Sequence, residues 1–253
     1  MQVYLSVTPQ AQQRTAGLVR SFAHAAYRIG PDSELLRQGG GPRGGVMSLS
    51  DREAAEISDP GPLADAVVRE CLLREFSGVL LDFEGPPSPG RRALAEALLP
   101  RLTVRRRRLW APEPCAPPGA ETLVNTALSG GNLSDYLRSA QARLNGHAAL
   151  DVQRLRMEFP LPCPSGIGRP LSGEELGALL EKHRPSVFFS QGLCARYFTY
   201  APGPEIRFVL FDDAETMLLK LRTAASLGIA EAFLMYPEVS DLLPRLAAGL
   251  ARL

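Results

Sequence analysis

The chain has 253 residues, 45% hydrophobic and 22% charged, with 28 basic and 27 acidic side chains for a formal net charge of +1. This is the balance of a soluble globular protein, and it gives no reason to expect nucleic acid or an anionic membrane as a partner. Four dispersed cysteines without a Cys-x-x-Cys pair and three scattered histidines argue against a disulfide framework and a metal centre, so no metal and no cofactor are expected.

The segment Met1 to Thr8 lacks a basic region, a long apolar core and a small-residue cleavage site, so it predicts the first strand of the fold and no signal peptide. With no apolar run approaching about 18 residues, no membrane span is expected, and a cytoplasmic protein is the simplest expectation. Val3 to Thr8 predicts a buried strand and Pro9 to Ala23 a helix with Leu18, Val19 and Phe22 on one face. His24 to Ile29 is a second apolar run, Ser33 to Gly45 a glycine-rich loop and Val46 to Leu49 a third strand. Leu63 to Phe76 follows helical period through Leu63, Val67, Cys71 and Leu72.

Phe76 to Glu84 is an apolar strand that ends in two carboxylates and is stopped by Gly85-Pro86-Pro87. A helix from Arg91 to Leu99 ends at Pro100. The run Arg105 to Arg108 is a solvated connection by this reading, because no aromatic side chains or second basic patch join it. Leu109-Trp110-Ala111 is a fifth strand and Glu121 to Leu128 a sixth. Ser134 caps a helix to Leu144, and Asp151 to Phe159 alternates as the next strand until Pro160. Ser172 and Glu175 form a capping box for a helix to Lys182. Val187 to Phe189, Cys194 to Tyr200 and Ile206 to Phe211 are further strand-like pieces. Asp212 or Asp213 caps a helix to Leu227 that Gly228 closes. Ala232 to Tyr236 is the last strand and Leu242 to Leu253 the last helix.

Strands and helices alternating about eight times over about 250 residues predict βαβ units and a closed (β/α)8 TIM barrel, an α/β fold in one domain spanning residues 1–253. The competing open doubly wound sheet expects a glycine-rich phosphate turn after its first strand, and Val7-Thr8-Pro9-Gln10 contains no glycine.

On a strand, Leu80, Asp82 and Glu84 share one face and Leu81 and Phe83 the other. Two acids therefore leave the same side, about 7 Å apart. Barrel sites lie at the C-terminal strand ends. That gathers Asp82, Glu84, Asn125, Glu158 and Tyr236 from strands, and Trp110, Glu113, Asp135, Tyr197 and Tyr200 from loops. Acids, an amide and aromatic faces around one mouth suit a sugar. For Phe188, Phe189, Tyr197 and Phe198, simple packing is the rival reading.

The run Ser77-Gly-Val-Leu-Leu-Asp-Phe-Glu84 resembles the fourth-strand signature Asp-Gly-x-Asp-x-Asp-x-Glu of family 18 glycoside hydrolases, the chitinase-like barrels. Phe211-Asp212-Asp213, Lys220, Gly228 and Ala232 to Tyr236 resemble that family's closing helix and strand. Arg156-Met157-Glu158-Phe159-Pro160 is similar to its Met-x-Tyr-Asp segment. The resemblance implies Glu84 as general acid and Asp82 as the carboxylate orienting the substrate's N-acetyl group, whose oxygen attacks the anomeric carbon with retention. Tyr236, Asn125, Glu158, Met157 and Trp110 are the expected substrate-binding residues, and an N-acetylated glycan of chitin or peptidoglycan type is the expected partner. Ser77 and Leu80 stand in place of aspartates, Phe159 and Pro160 in place of the tyrosine and aspartate, and Tyr236 in place of a tryptophan. A catalytically impaired barrel that binds a glycan or protein therefore remains an alternative, and an unrelated small-molecule enzyme a third.

Overall fold

A computed structural model describes residues 1–251 except 16 and 55. The first half contains β1 (Gln2–Val7), α1 (Pro9–Thr15), β2 (Phe22–Ile29), β3 (Leu35–Arg37), β4 (Val46–Ser50), α2 (Pro60–Leu73), β5 (Gly78–Asp82), α3 (Pro89–Thr103), β6 (Arg108–Pro112) and β7 (Glu121–Asn125). There follow α4 (Leu133–Arg143), β8 (Ala148–Val152), β9 (Arg156–Leu161), β10 (Arg169–Pro170), α5 (Gly173–His183), β11 (Phe188–Ser190) and β12 (Ala195–Tyr200). The chain continues through β13 (Ile206–Phe211), α6 (Ala214–Ser226), β14 (Glu231–Met235), α7 (Tyr236–Val239) and α8 (Leu243–Leu250). Among the described residues, no helix is long and apolar enough to cross a membrane.

Eight parallel strands close into a barrel in the order β1-β14-β8-β7-β6-β5-β4-β2, with β1 pairing back onto β2. The short β3 adds an antiparallel edge to β2. The inner face carries one packed layer with a residue from each strand: Tyr4, Ala23, Val46, Leu80, Trp110, Leu123, Ala149 and Phe233. Strand alternation sends the neighbours outward, so Val79 and Leu81 are fully buried against the helices that carry Leu63, Val67, Leu94 and Leu98. Burying one such side chain contributes about 1.5–3 kcal/mol. The barrel interior is thus packed solid below its C-terminal rim, and only the rim is available for chemistry.

Several elements differ from the sequence expectation, among them α4, which is capped by Asn132 and not by Ser134, and Tyr236, which opens α7 and does not end the last strand. Helix α1 ends at Thr15, where Gly17 takes φ +85° and turns the chain so that Phe22 already starts β2. Helix α3 runs through Pro100, whose carbonyl still accepts from the Val104 amide at 3.2 Å, to Thr103. Leu35–Arg37, expected as loop, pairs with β2. The single strand expected from Asp151 to Phe159 is two: β8 is the seventh barrel strand, and β9 belongs to a different sheet.

That second sheet, β10-β9-β13-β12-β11, is antiparallel and leaves the barrel between its seventh and eighth strands. One of its faces buries Phe198, Val209 and Phe211 against Leu171 and Leu176, the latter on α5. Helix α5 opens with the expected Ser172/Glu175 capping box, and α6 is capped by Asp213, whose side chain accepts from the Thr216 amide at 2.8 Å.

Candidate active site

Asp82 is the last residue of β5, directly above Leu80 on the inner face, and the strand ends there. Glu84 sits one turn further on, and its position is set by Asp51. The Asp51 carboxylate is buried and accepts from the Glu84 amide at 2.8 Å and from the Gly85 amide at 3.4 Å. Arg91 of α3 pairs with Asp51 and donates to the Pro86 carbonyl at 3.1 Å. A buried ion pair therefore clamps the turn that carries Glu84 over the rim. On its free side Glu84 is held by Arg52 in a two-point fork, Nε to Oε2 at 3.0 Å and Nη2 to Oε1 at 2.6 Å.

The rim opens into two adjoining lobes that share Asp82, Glu84 and Met235. The first, about 390 Å3, is lined by Ser6, Thr8, Gln10, Arg14, Arg28, Ser50, Arg52 and Tyr236 among others. The second, about 620 Å3, is lined by Glu113, Asn125, Tyr136, Asp151, Gln153, Phe233 and Glu238 among others. Burial pushes the Asp82 carboxyl up to about 6, helped by the charges of Glu84 and Asp51 and opposed by Arg52. Asp151, at the end of β8, is also pushed up to about 6, first by burial and further by Asp82 and Glu238, against a hydrogen bond from Gln153. An amide chain holds it in place: Asn125 Nδ2 donates to Gln153 Oε1 at 2.7 Å, and Gln153 Nε2 donates to Asp151 Oδ2 at 2.8 Å. The mouth thus presents two protonatable aspartates, Asp82 and Asp151, with Glu84 beside the first, around an open space, the equipment for proton transfer near mildly acidic pH.

The residues expected at the mouth divide. Asp82, Glu84, Asn125, Tyr236 and Glu113 line the lobes. Trp110 does not. It is fully buried inside the barrel, with Nε1 donating to Glu231 Oε2 at 2.8 Å, and it fills the room left by Gly78, where a Cβ would stand 2.7 Å from its ring. Arg108, expected in a solvated run, pairs with Glu231 and Glu121 in the same network. Glu158 and Met157 are also displaced, because β9 is in the antiparallel sheet. Glu158 is buried there between Arg169 and the Tyr200 hydroxyl, and Met157 packs against the cluster of Leu155, Phe159, Ala195 and Leu210. The sixth barrel strand ends at Asn125, with Thr126 and Ala127 just beyond it, and β9 lies in the other sheet, so Phe159 and Pro160 do not stand at the rim. Asp135 is exposed and paired with Arg138, and Tyr197 and Tyr200 lie on β12. No residue from Val187 to Tyr200 lines either lobe.

Sequence reasoning missed Asp151, Gln153, Glu238 and the three arginines of the first lobe. A usable indication existed for one of them. Ala148-Ala149-Leu150-Asp151 repeats the pattern of Val79-Leu80-Leu81-Asp82, an apolar run closed by an aspartate.

No family model matches the sequence, and no curated protein matches it. Solved structures do match over nearly the whole chain. The spore cortex-lytic enzyme SleL of Bacillus cereus superposes with a TM-score of 0.68 at 12% identity, covering 98% of this chain and 74% of that one. A chitinase from Chromobacterium violaceum gives 0.66 at 16% identity and 99% of both chains. The fold is that of the chitinase-like barrels. A mutant class V chitinase from Nicotiana tobaccum, solved in complex with NAG4, also matches, with a TM-score of 0.66 at 13% identity and 97% coverage of both chains. In this chitinase-like barrel, Asp82 and Glu84 occupy the C-terminal rim, as the strand pattern requires.

Proposed function

We propose that this chitinase-like barrel is a retaining glycoside hydrolase for N-acetylglucosamine-containing glycans, of chitin or peptidoglycan type, with Glu84 as the acid and Asp82 as its partner. The observation that carries the proposal is the pairing of a half-exposed Glu84 with an Asp82 that keeps its proton to about pH 6, both on the lining of one open mouth. In the reaction, Glu84 gives its proton to the glycosidic oxygen as the bond to the anomeric carbon breaks. The acetamide oxygen bonds to that carbon from the opposite face, while the ionised Asp82 accepts the acetamide N–H and stabilises the cationic ring. Water then attacks the same carbon, returns a proton to Glu84 and reopens the ring. Asp82 supplies a local proton below about pH 6, and passing it to Glu84 leaves both groups in the forms the first step uses. Tyr236 and Asn125, one in each lobe, are the proposed sugar contacts.

The test is hydrolysis and binding of chito- and peptidoglycan-derived oligomers by wild type and by Glu84→Gln. Turnover is expected in wild type and a loss of about 10²–10⁴ in the variant, with binding kept. A second reading has its own observation, the Arg52 fork that occupies both oxygens of Glu84. If that fork never opens, the barrel binds a glycan without cleaving it, and both proteins then bind equally and release no product. Absence of both binding and turnover overturns the two readings together.

A further inference from the structure

The two lobes of the mouth are of opposite charge. The second is lined by Asp82, Glu84, Glu113, Asp151 and Glu238 and, among the described residues, by no basic side chain. The first is lined by Arg14, Arg28 and Arg52, with only the shared Asp82 and Glu84 against them. Two of the three guanidinium groups are matched, Arg28 by Glu53 and Arg52 by Glu84, which leaves the charge of Arg14 facing the lobe, and a neutral oligosaccharide brings nothing to meet it. A carboxylate does. The planar fork of arginine matches a carboxylate at two points, and Arg52 already makes that match with Glu84. Arg28 is paired with Glu53, whereas Arg14 is exposed and has no carboxylate partner among the described residues. The lobe also has a polar lining of Thr8, Gln10 and Ser50, and the Ser6 hydroxyl on it is buried without a hydrogen-bond partner among the described residues.

We propose that the first lobe is a subsite for a sugar that bears a carboxylate, and that this carboxylate takes Arg52 from Glu84 as it binds. The inference rests on the glycosidase reading and names its substrate class. The exchange breaks one arginine–carboxylate pair and forms another, so the net charge in the cleft changes only by the negative charge that the ligand brings. The Arg52–Glu84 pair is suited to exchange, because its side chains are 71% and 46% exposed, and pairs of that kind contribute little to stability. Once Arg52 has turned to the ligand, both oxygens of Glu84 are free to meet the glycosidic oxygen, with Asp82 beside it on the lining as the local source of the proton. An acidic sugar thereby arms the acid that cleaves its own chain. A neutral sugar has to part the fork without that help and is cleaved more slowly.

The experiment compares a tetrasaccharide of alternating N-acetylglucosamine and N-acetylmuramic acid with the methyl ester of its lactyl carboxylates. Length and linkage are constant and only the charge differs. Wild type is expected to bind the acid about tenfold or more tighter than the ester at low salt, with the preference shrinking as salt rises. Arg14→Gln is expected to reduce the preference to about threefold or less. In Arg52→Gln the turnover numbers for acid and ester should converge, because Glu84 no longer waits for a ligand to free it. Both arginines are exposed, and unchanged melting temperatures establish that the variants are folded. Equal binding and cleavage of acid and ester by wild type overturns the subsite and leaves the glycosidase reading intact. A preference for the acid that survives both substitutions overturns the assignment to this lobe. Failure to bind either compound removes the glycosidase reading and this inference with it.

Discussion

Lys220 donates to Asp212 Oδ2 at 2.7 Å, with neither side chain exposed, and the same ammonium reaches the Thr126 carbonyl at 3.2 Å. Asp212 in turn accepts from the Leu155 amide at 2.9 Å and from the Thr216 hydroxyl at 2.9 Å. One ion pair therefore ties helix α6, the end of β13, the start of the antiparallel sheet and the end of the sixth barrel strand. Lys220→Met is expected to cost about 3–5 kcal/mol, because it strands a buried carboxylate. Lys220→Met combined with Asp212→Leu should regain a large part of that loss. Urea denaturation of the single and double variants measures both, and an additive double variant would show that the pair is not coupled.

Asp82 makes stability depend on pH in a definite sense. The folded protein keeps the Asp82 proton to about pH 6, whereas an ordinary aspartate loses it near about 3.9. Between those values the folded state binds more protons, so stability is greatest at the acid end and declines as pH rises toward 6. Asp151, shifted to the same value, adds to the decline. Asp82→Asn should therefore be more stable than wild type above pH 6, by about 1–3 kcal/mol, and indistinguishable from it near about pH 4. Denaturation at the two pH values decides the matter, and a gain of equal size at both would refute the burial argument.

Trp110 belongs to the barrel interior and not to the cleft, which separates two outcomes. Trp110→Phe keeps the ring among Tyr4 and Phe233 but removes the donor to Glu231. A stability loss of about 1–3 kcal/mol is expected, with glycan affinity unchanged once folding is corrected for. A weaker affinity at full stability would return Trp110 to the binding surface.

The path from residues to site was open where side-chain period alone decides. Val79 and Leu81 outside with Leu80 and Asp82 inside follow from alternation, and the barrel places that inner face at the rim. It closed where register decides. Whether Trp110 points to a sugar or into the core depends on Gly78 lying beside it on the neighbouring strand, paired with Arg108, and no local pattern carries that fact. Strand boundaries mislead at Asp151: side-chain alternation sets it at the opening of a strand, and it lies one residue from the end of β8. The pieces of β11 to β13 were recognisable as strands, but their antiparallel pairing comes from Phe198, Val209 and Phe211 sharing a cover with α5. The Arg52–Glu84 fork joins two exposed turns through Asp51, a contact set by the folded turn and not by the composition of either segment.

The position of β1 governs the order in which this protein can be made. Leu5 pairs with Phe22 nearby, but Gln2 pairs with Glu231, so β1 lacks one barrel neighbour until β14 has been made. Until then the stack of Tyr4 on Phe233, 5.1 Å between ring centres, is absent and the barrel is a curved open sheet with two bare edges. The antiparallel excursion, whose strands all lie between Arg156 and Phe211, needs nothing downstream for its own ladders and can form while the gap is still open. Closure thus waits for β14, the last of the eight barrel strands in chain order. A ribosome stalled shortly before residue 231 would hold a barrel without its closing strand, its interior still wet, a substrate for chaperones.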